Sequence, residues 1–116
     1  MSNQQEVEVS YDVSNDFFRL WLDEKMSYTC ALYEGTDNLE EAQHKKHAWH
    51  TKAAHLEPGK RLLDIGCGWG ADIEHQVKHA GLRSAVGITL SSAQLEECKR
   101  REVPNAEFLL CDYRDF

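Results

Sequence analysis

Leu62-Leu63-Asp64-Ile65-Gly66-Cys67-Gly68-Trp69-Gly70 is the stretch of this 116-residue chain on which the fold turns. With Arg61 ahead of it, the run opens as a short apolar strand and then breaks into three glycines spaced by two. A lone G-x-G is weak evidence, but it gains force directly after a strand and directly before a helix. Glycines in such a turn let the backbone bend sharply and let a ligand approach it without interference from a Cβ atom. The pattern predicts a helix from Ala71 to His79, which Gly81 ends.

The same alternation continues downstream. Ser84-Ala85-Val86-Gly87-Ile88-Thr89 reads as a second strand, Ser91 or Ser92 caps a helix running to Arg101, and residues 106–111 read as a third strand. Strand, helix, strand, helix, strand is the signature of an α/β fold with a parallel sheet. Upstream, Pro58-Gly59 stops a helix predicted over residues 39–56. Leu39, Ala42, Trp49, Ala53 and Leu56 fall close to one face of it, Asn38 can cap it, and Glu40 and Glu41 suit the positive end of its dipole. Residues 23–37 read as a loop holding Met26-Ser27-Tyr28-Thr29-Cys30-Ala31. Residues 11–22 read as a short aromatic-rich helix, with capping residues Ser14-Asn15-Asp16 followed by Phe17, Phe18, Leu20, Trp21 and Leu22. Three segments result: a disordered N-terminus over residues 1–10, a helical segment over 11–57 that covers a site, and a sheet segment over 58–116.

Composition narrows the function. The apolar fraction is 41% and the charged fraction 28%, ordinary for a globular chain. Thirteen Lys and Arg against 20 Asp and Glu give a net charge of −7, without the basic stripe that a nucleic-acid binder uses to displace phosphate counterions. The same acidity argues against electrostatic attachment to an anionic membrane. No run reaches the roughly 18 apolar residues of a membrane span, and no secretory signal is visible, so a cytoplasmic location is expected. Cys30, Cys67, Cys98 and Cys111 form no C-x-x-C pair, which argues against structural zinc and a disulfide framework. Cys98 and Cys111 are expected to be small buried hydrophobes.

The D-x-G-x-G turn resembles the first motif of class I S-adenosylmethionine-dependent methyltransferases, and the fuller Asp64-Ile65-Gly66-Cys67-Gly68-Trp69-Gly70 is more restrictive. Alongside it stand Tyr11-Asp12-Val13-Ser14-Asn15-Asp16-Phe17-Phe18, Tyr28-Thr29-Cys30-Ala31-Leu32-Tyr33 and Leu39-Glu40-Glu41-Ala42-Gln43. Gly87-Ile88-Thr89-Leu90-Ser91-Ser92-Ala93-Gln94 and Asp112-Tyr113-Arg114-Asp115 follow. In that order and spacing these blocks resemble the cyclopropane-fatty-acid and mycolic-acid cyclopropane synthases, over nearly the whole of residues 11–116.

The resemblance implies a Rossmann-like methyltransferase fold with N-terminal helices and a site for S-adenosylmethionine. Tyr28 and Thr29 would close over its methionine end, and Leu62, Leu63, Asp64, Ile65, Gly66, Cys67, Gly68, Trp69 and Gly70 would form the floor. Thr89, Leu90, Ser91 and Gln94 would reach the ribose and adenine, with Asp112 near the adenine. Gln94 substitutes for the acidic residue that many class I methyltransferases use on the ribose. The implied reaction transfers a methylene to the cis double bond of an unsaturated phospholipid acyl chain. The proton is lost to a bound bicarbonate, whose pocket Cys30 would line; peripheral contact with a membrane would accompany such a substrate. Two departures from the family stand out: Ser10 where it commonly has His, and Asp72 where many relatives are apolar.

The implied sheet has the strand order 3-2-1-4-5-7-6, so the chain is expected to be truncated after the third strand: a fragment, a shortened reading frame or half of a split protein. Its first strand would then offer an open edge for self-association or a partner chain. Two other functions compete with the lipid reading, a small-molecule C-methyltransferase and a non-catalytic remnant that binds cofactor or a partner. No metal is expected. His44, His47 and His50 are spaced by three and His75 and His79 by four, but no acidic or cysteine partner stands at a diagnostic spacing, so they read as solvated helix faces. Phe17, Phe18, Trp21 and Trp49 are expected in the core. Trp69 is expected to shape the cofactor pocket, and Cys67 to serve as a small residue with no nucleophilic role.

Overall fold

The computed structural model describes Gln5 and residues 14–116. Apart from Gln5, which is helical, the stretch 1–10 expected to be disordered and the Tyr11-Asp12-Val13 part of the first predicted helix therefore lie outside the described residues. The order of elements is α1 (Asn15–Arg19), α2 (Leu39–Ala53), β1 (Arg61–Ile65), α3 (Ala71–His79), β2 (Ser84–Thr89), α4 (Ser92–Arg100) and β3 (Ala106–Leu110), then a single 3₁₀ turn (Tyr113–Asp115).

The three strands pair in the order β1-β2-β3, all parallel, with Leu63 opposite Val86 and Gly87 opposite Phe108. This is the arrangement that the strand and helix pattern predicts, and the bounds of β1, α3 and β2 coincide with the predicted ones. Three of the four helices start on a side-chain cap, and α3 starts on Gly70 without one. Ser14 Oγ accepts from Asp16 N at α1, Asn38 Oδ1 from Glu41 N at α2, and Ser91 Oγ from Gln94 N at α4.

Side chains alternate across the strands, so Leu62, Ala85 and Phe108 share one face. Together with Cys67, Ile73 of α3, Cys98 of α4 and Val103 they form the main core. Gly87 is the point of closest approach. A Cβ there would meet Ile73 Cδ1 at 2.6 Å, Phe108 Cδ1 at 2.9 Å and Cys67 Cβ at 3.0 Å. On the opposite face and at the β1 edge, Leu63 is 43% and Ile65 58% exposed.

Two expectations about the helices are corrected. Helix α2 ends at Ala53 rather than Leu56, and its buried residues are Ala42, Gln43, Lys46 and His47. Apart from Ala42, the predicted apolar face does not match the buried one, and Trp49 is 58% exposed. The helix covers a polar loop, and the loop supplies partners for polar side chains: Gln43 Nε2 donates to the carbonyls of Ser27 (3.1 Å) and Thr29 (3.0 Å). Of the four aromatic residues expected in the core, Phe18 alone is buried; Phe17 on the five-residue α1 and Trp21 just after it are about half exposed. Phe18 packs with Met26 and Trp69 in a second, smaller core. Cys98 is fully buried as expected, whereas Cys111, just past β3, is only partly so.

Candidate functional site

At the C-terminal ends of β1 and β2 lies a cavity of about 400 Å³, within the range of small-molecule sites and where open α/β sheets bind ligands. The turn after β1 forms its floor with Gly66, Cys67, Gly68 and Trp69; Asp64 enters from the strand, and Thr89, Leu90 and Gln94 from the end of β2 and start of α4. Met26, Ser27, Tyr28 and Thr29 come over it from the loop, and Lys46, His47 and His50 from α2.

The glycines of the turn serve two ends. Gly66, Gly68 and Gly70 all have positive φ, at 75°, 58° and 93°. A Cβ on Gly70 would press on Cys98 Sγ at 3.2 Å and the Phe108 ring at 3.4 Å, so its glycine is required by the core. Gly66 and Gly68 have nothing within 4 Å of where a Cβ would stand. Gly68 borders the cavity, so its bare backbone faces space that a ligand can occupy.

The surrounding walls are held firmly. Trp69 is 2% exposed, and its indole Nε1 donates to Asn15 Oδ1 at 2.9 Å while Asn15 Nδ2 donates to the Ala93 carbonyl at 2.9 Å. That bridge ties α1, the glycine turn and α4 together. Thr89 Oγ1 donates to Gln94 Oε1 at 2.8 Å. In the loop, Asp23 Oδ1 accepts from Ser27 N at 2.6 Å, fixing the approach of Tyr28 and Thr29.

Asp64 is different. Among the described residues its carboxylate has no hydrogen-bond partner, and burial pushes it up to about 6, aided by the like charge of Asp72 and opposed by His50 and His47. A half-buried carboxylate beside an open cavity favours a cationic ligand group. Cys67 carries no reactive thiolate, since its hydrogen bond with Cys98 and its burial both raise its pKa.

Several sequence-designated residues lie off the cavity. Leu62, Leu63 and Ile65 belong to the strand itself, Gly70 to the core contact, and Ser91 to the α4 cap. Asp112 caps the 3₁₀ turn and binds Arg114. Cys30 is exposed and borders a neighbouring groove that shares Ser27, Tyr28 and Thr29 with the cavity.

The histidines require a correction. His47 is buried, not solvated, and an acidic partner does exist: Asp72, from the first turn of α3. His47 Nδ1 lies 2.8 Å and His50 Nδ1 3.2 Å from Asp72 Oδ1. The pairing crosses two helices, so spacing along one of them could not reveal it. Burial opposes the charge on Asp72, but hydrogen bonds from His47, Gln76 and His50 outweigh it and hold the carboxyl near 2.

A family model described as mycolic acid cyclopropane synthetase matches residues 1–116. The chain belongs to that family. A curated member named cyclopropane-fatty-acyl-phospholipid synthase, from Escherichia coli, is 42% identical over 106 residues, covering 90% of this chain and 28% of its own length. An S-adenosylmethionine-dependent methyltransferase of Mycobacterium tuberculosis, UmaA, is 46% identical over 98 residues, covering 84% of this chain and 34% of its own. The crystal structure of the mycolic acid cyclopropane synthase CmaA1 with SAH and CTAB superimposes with a TM-score of 0.92 at 35% identity, over 99% of this chain and 42% of the other. This cyclopropane synthetase family member thus spans about a third of the length of the curated relatives it matches, and its three-stranded sheet and helices fit a Rossmann-like methyltransferase fold. Among the described residues no helix is long and apolar enough to cross a membrane.

Proposed function

We propose that this chain forms the S-adenosylmethionine-binding part of a methyltransferase that acts on the cis double bond of a lipid acyl chain. The observation that carries the cofactor assignment is the bare backbone of Gly68 facing the same cavity as the unpartnered carboxylate of Asp64. Bound there, S-adenosylmethionine would supply an activated methyl group. Gly66, Cys67, Gly68 and Trp69 would lie under its amino-acid end, Asp64 would face its ammonium, and Tyr28 and Thr29 would close over it. Thr89, Leu90 and Gln94 would reach the ribose and adenine, Gln94 contributing its amide.

The lipid class rests on the family and on the names of its relatives, including a cyclopropane-fatty-acyl-phospholipid synthase. Cys30, in the groove next to the cavity, stands where the resemblance puts a bicarbonate, and we assign that role to the groove it lines. The open edge of β1 is assigned to pairing with further strands of a whole family domain. Incubating a protein that contains this chain and those strands with cis-unsaturated phospholipid tests the substrate. Ring-containing acyl chains are expected; methyl incorporation without a ring would overturn the assignment.

Calorimetric titration of S-adenosylmethionine tests the cofactor. Saturable binding is expected above pH 7, weakening as pH falls through about 6, because the ammonium favours ionised Asp64. Asp64→Asn should bind more weakly and lose most of that pH dependence. Its stability should move oppositely. Folded Asp64 holds its proton to about 6, above its unfolded value, so the wild type loses stability as pH rises through that interval. Asp64→Asn should then raise the melting temperature at neutral pH. A wild type that shows no binding, or binding indifferent to Asp64→Asn, would remove the carboxylate from the site.

A further inference from the structure

We propose that His47, His50 and Asp72 form a binding site for a divalent first-row transition ion such as zinc, opening onto the same cavity. The inference stands apart from the cofactor reading and holds whether or not S-adenosylmethionine binds.

Among the described residues this is the one group of His, Cys, Asp or Glu whose ligand atoms converge, all lying within 4.8 Å of one another. Two imidazoles and one carboxylate are a ligand set that zinc and its neighbours take up, with a position left over for water or another ligand. A tetrahedral ion with bonds of about 2.0–2.1 Å spaces its ligands about 3.3 Å apart. The existing separations from Asp72 Oδ1, 2.8 Å to His47 Nδ1 and 3.2 Å to His50 Nδ1, need only open by a few tenths of an ångström.

The supporting shell is built as metal sites require. His47 Nε2 lies 3.1 Å from Ser27 Oγ. When Nδ1 turns its lone pair to an ion, the ring proton resides on Nε2, and Ser27 is in place to accept its hydrogen bond. Gln76, fully buried, donates through Nε2 to Asp72 Oδ1 at 3.1 Å and to the His47 carbonyl at 2.9 Å, locking α3 to α2 at this point. The ligands themselves are graded from closed to open: the His47 side chain is 7% exposed, Asp72 23% and His50 40%. All three line the cavity, so an ion there has an entry path. Lys46, the nearby cation, donates to Thr29 Oγ1.

A second histidine group stands close by. The rings of His44, His75 and His79 lie with centroids 4.5–5.9 Å apart, His44 edge-on to the other two, but their ligand atoms do not converge in the same way. It supplies the control. The chelator-stripped chain would be titrated with Co²⁺, read by its visible absorption, with Zn²⁺ as competitor and circular dichroism to verify the fold of each variant. One saturable site per chain is expected, abolished by zinc. Asp72→Asn and His50→Gln should each weaken it by more than ~100-fold, beyond the roughly 10–100-fold cost of losing a supporting residue. His79→Gln should leave it unchanged. Absence of saturable binding by the folded wild type would overturn the proposal, as would affinity that falls with His79→Gln but survives His50→Gln.

Discussion

Gly87→Ala should lower the urea midpoint of unfolding by about 1–2 M, the largest stability loss expected from a single methyl group in this chain. The added Cβ would meet three core groups at once, at 2.6, 2.9 and 3.0 Å, contributed by α3, β3 and the glycine turn. None is the free end of a surface side chain. Ile73 is fully buried, and Phe108 and Cys67 are 7% exposed, so relief requires the α3 helix to lift from the sheet. Overpacking of this kind costs about 1–3 kcal/mol and at times more, and urea slopes for small domains are about 1–3 kcal/mol per molar. That is a sizeable share of the roughly 5–15 kcal/mol that holds a domain together. An unchanged midpoint would show that Ile73 and Phe108 have slack that their burial conceals.

Gly68→Val should leave the chain folded and remove the S-adenosylmethionine binding proposed for it. The position has a φ of 58° and open space where a Cβ would go. A branched side chain there is strained by about 1–2 kcal/mol, yet its Cβ meets no protein atom within 4 Å. It does occupy the cavity. A loss of affinity beyond ~100-fold, or about 3 kcal/mol, is expected in calorimetric titration. Gly59→Ala is the matched control: its φ is 85°, it too has nothing within 4 Å, and it lies outside the cavity. Weakened binding in both variants would mean that backbone strain, not occlusion, governs the result. Retained binding in Gly68→Val would place the ligand elsewhere.

The elements legible in the sequence were those set by local rules. β1, α3 and β2 were marked by apolar runs bounded by glycines, and their bounds agree with the structure to the residue. Helix α2 was recognisable as a helix, but its inward face was not. Hydrophobicity pointed to Trp49 and Leu56, whereas the covered loop offers carbonyls and hydroxyls that select Gln43, Lys46 and His47. The glycine turn was legible because its residues are contiguous. The bridge from Asn15 to Trp69 and the meeting of Asp72 with His47 join residues 54 and 25 positions apart, and only packing brings them together. Asp72 was visible as a departure from the family pattern, and the three-residue spacing of the α2 histidines was equally visible. That α2 and α3 face each other there is set by packing, which spacing along either helix does not encode.

Strand order also bears on biosynthesis. β1, β2 and β3 lie side by side in the order in which a ribosome delivers them. Each new strand of the three therefore docks on the one just made, after a single intervening helix. Chains emerge at roughly 5–20 residues per second, and N-terminal units generally fold first. Such a sheet can be laid down vectorially, with the glycine turn and its neighbouring helix already positioned when β2 arrives.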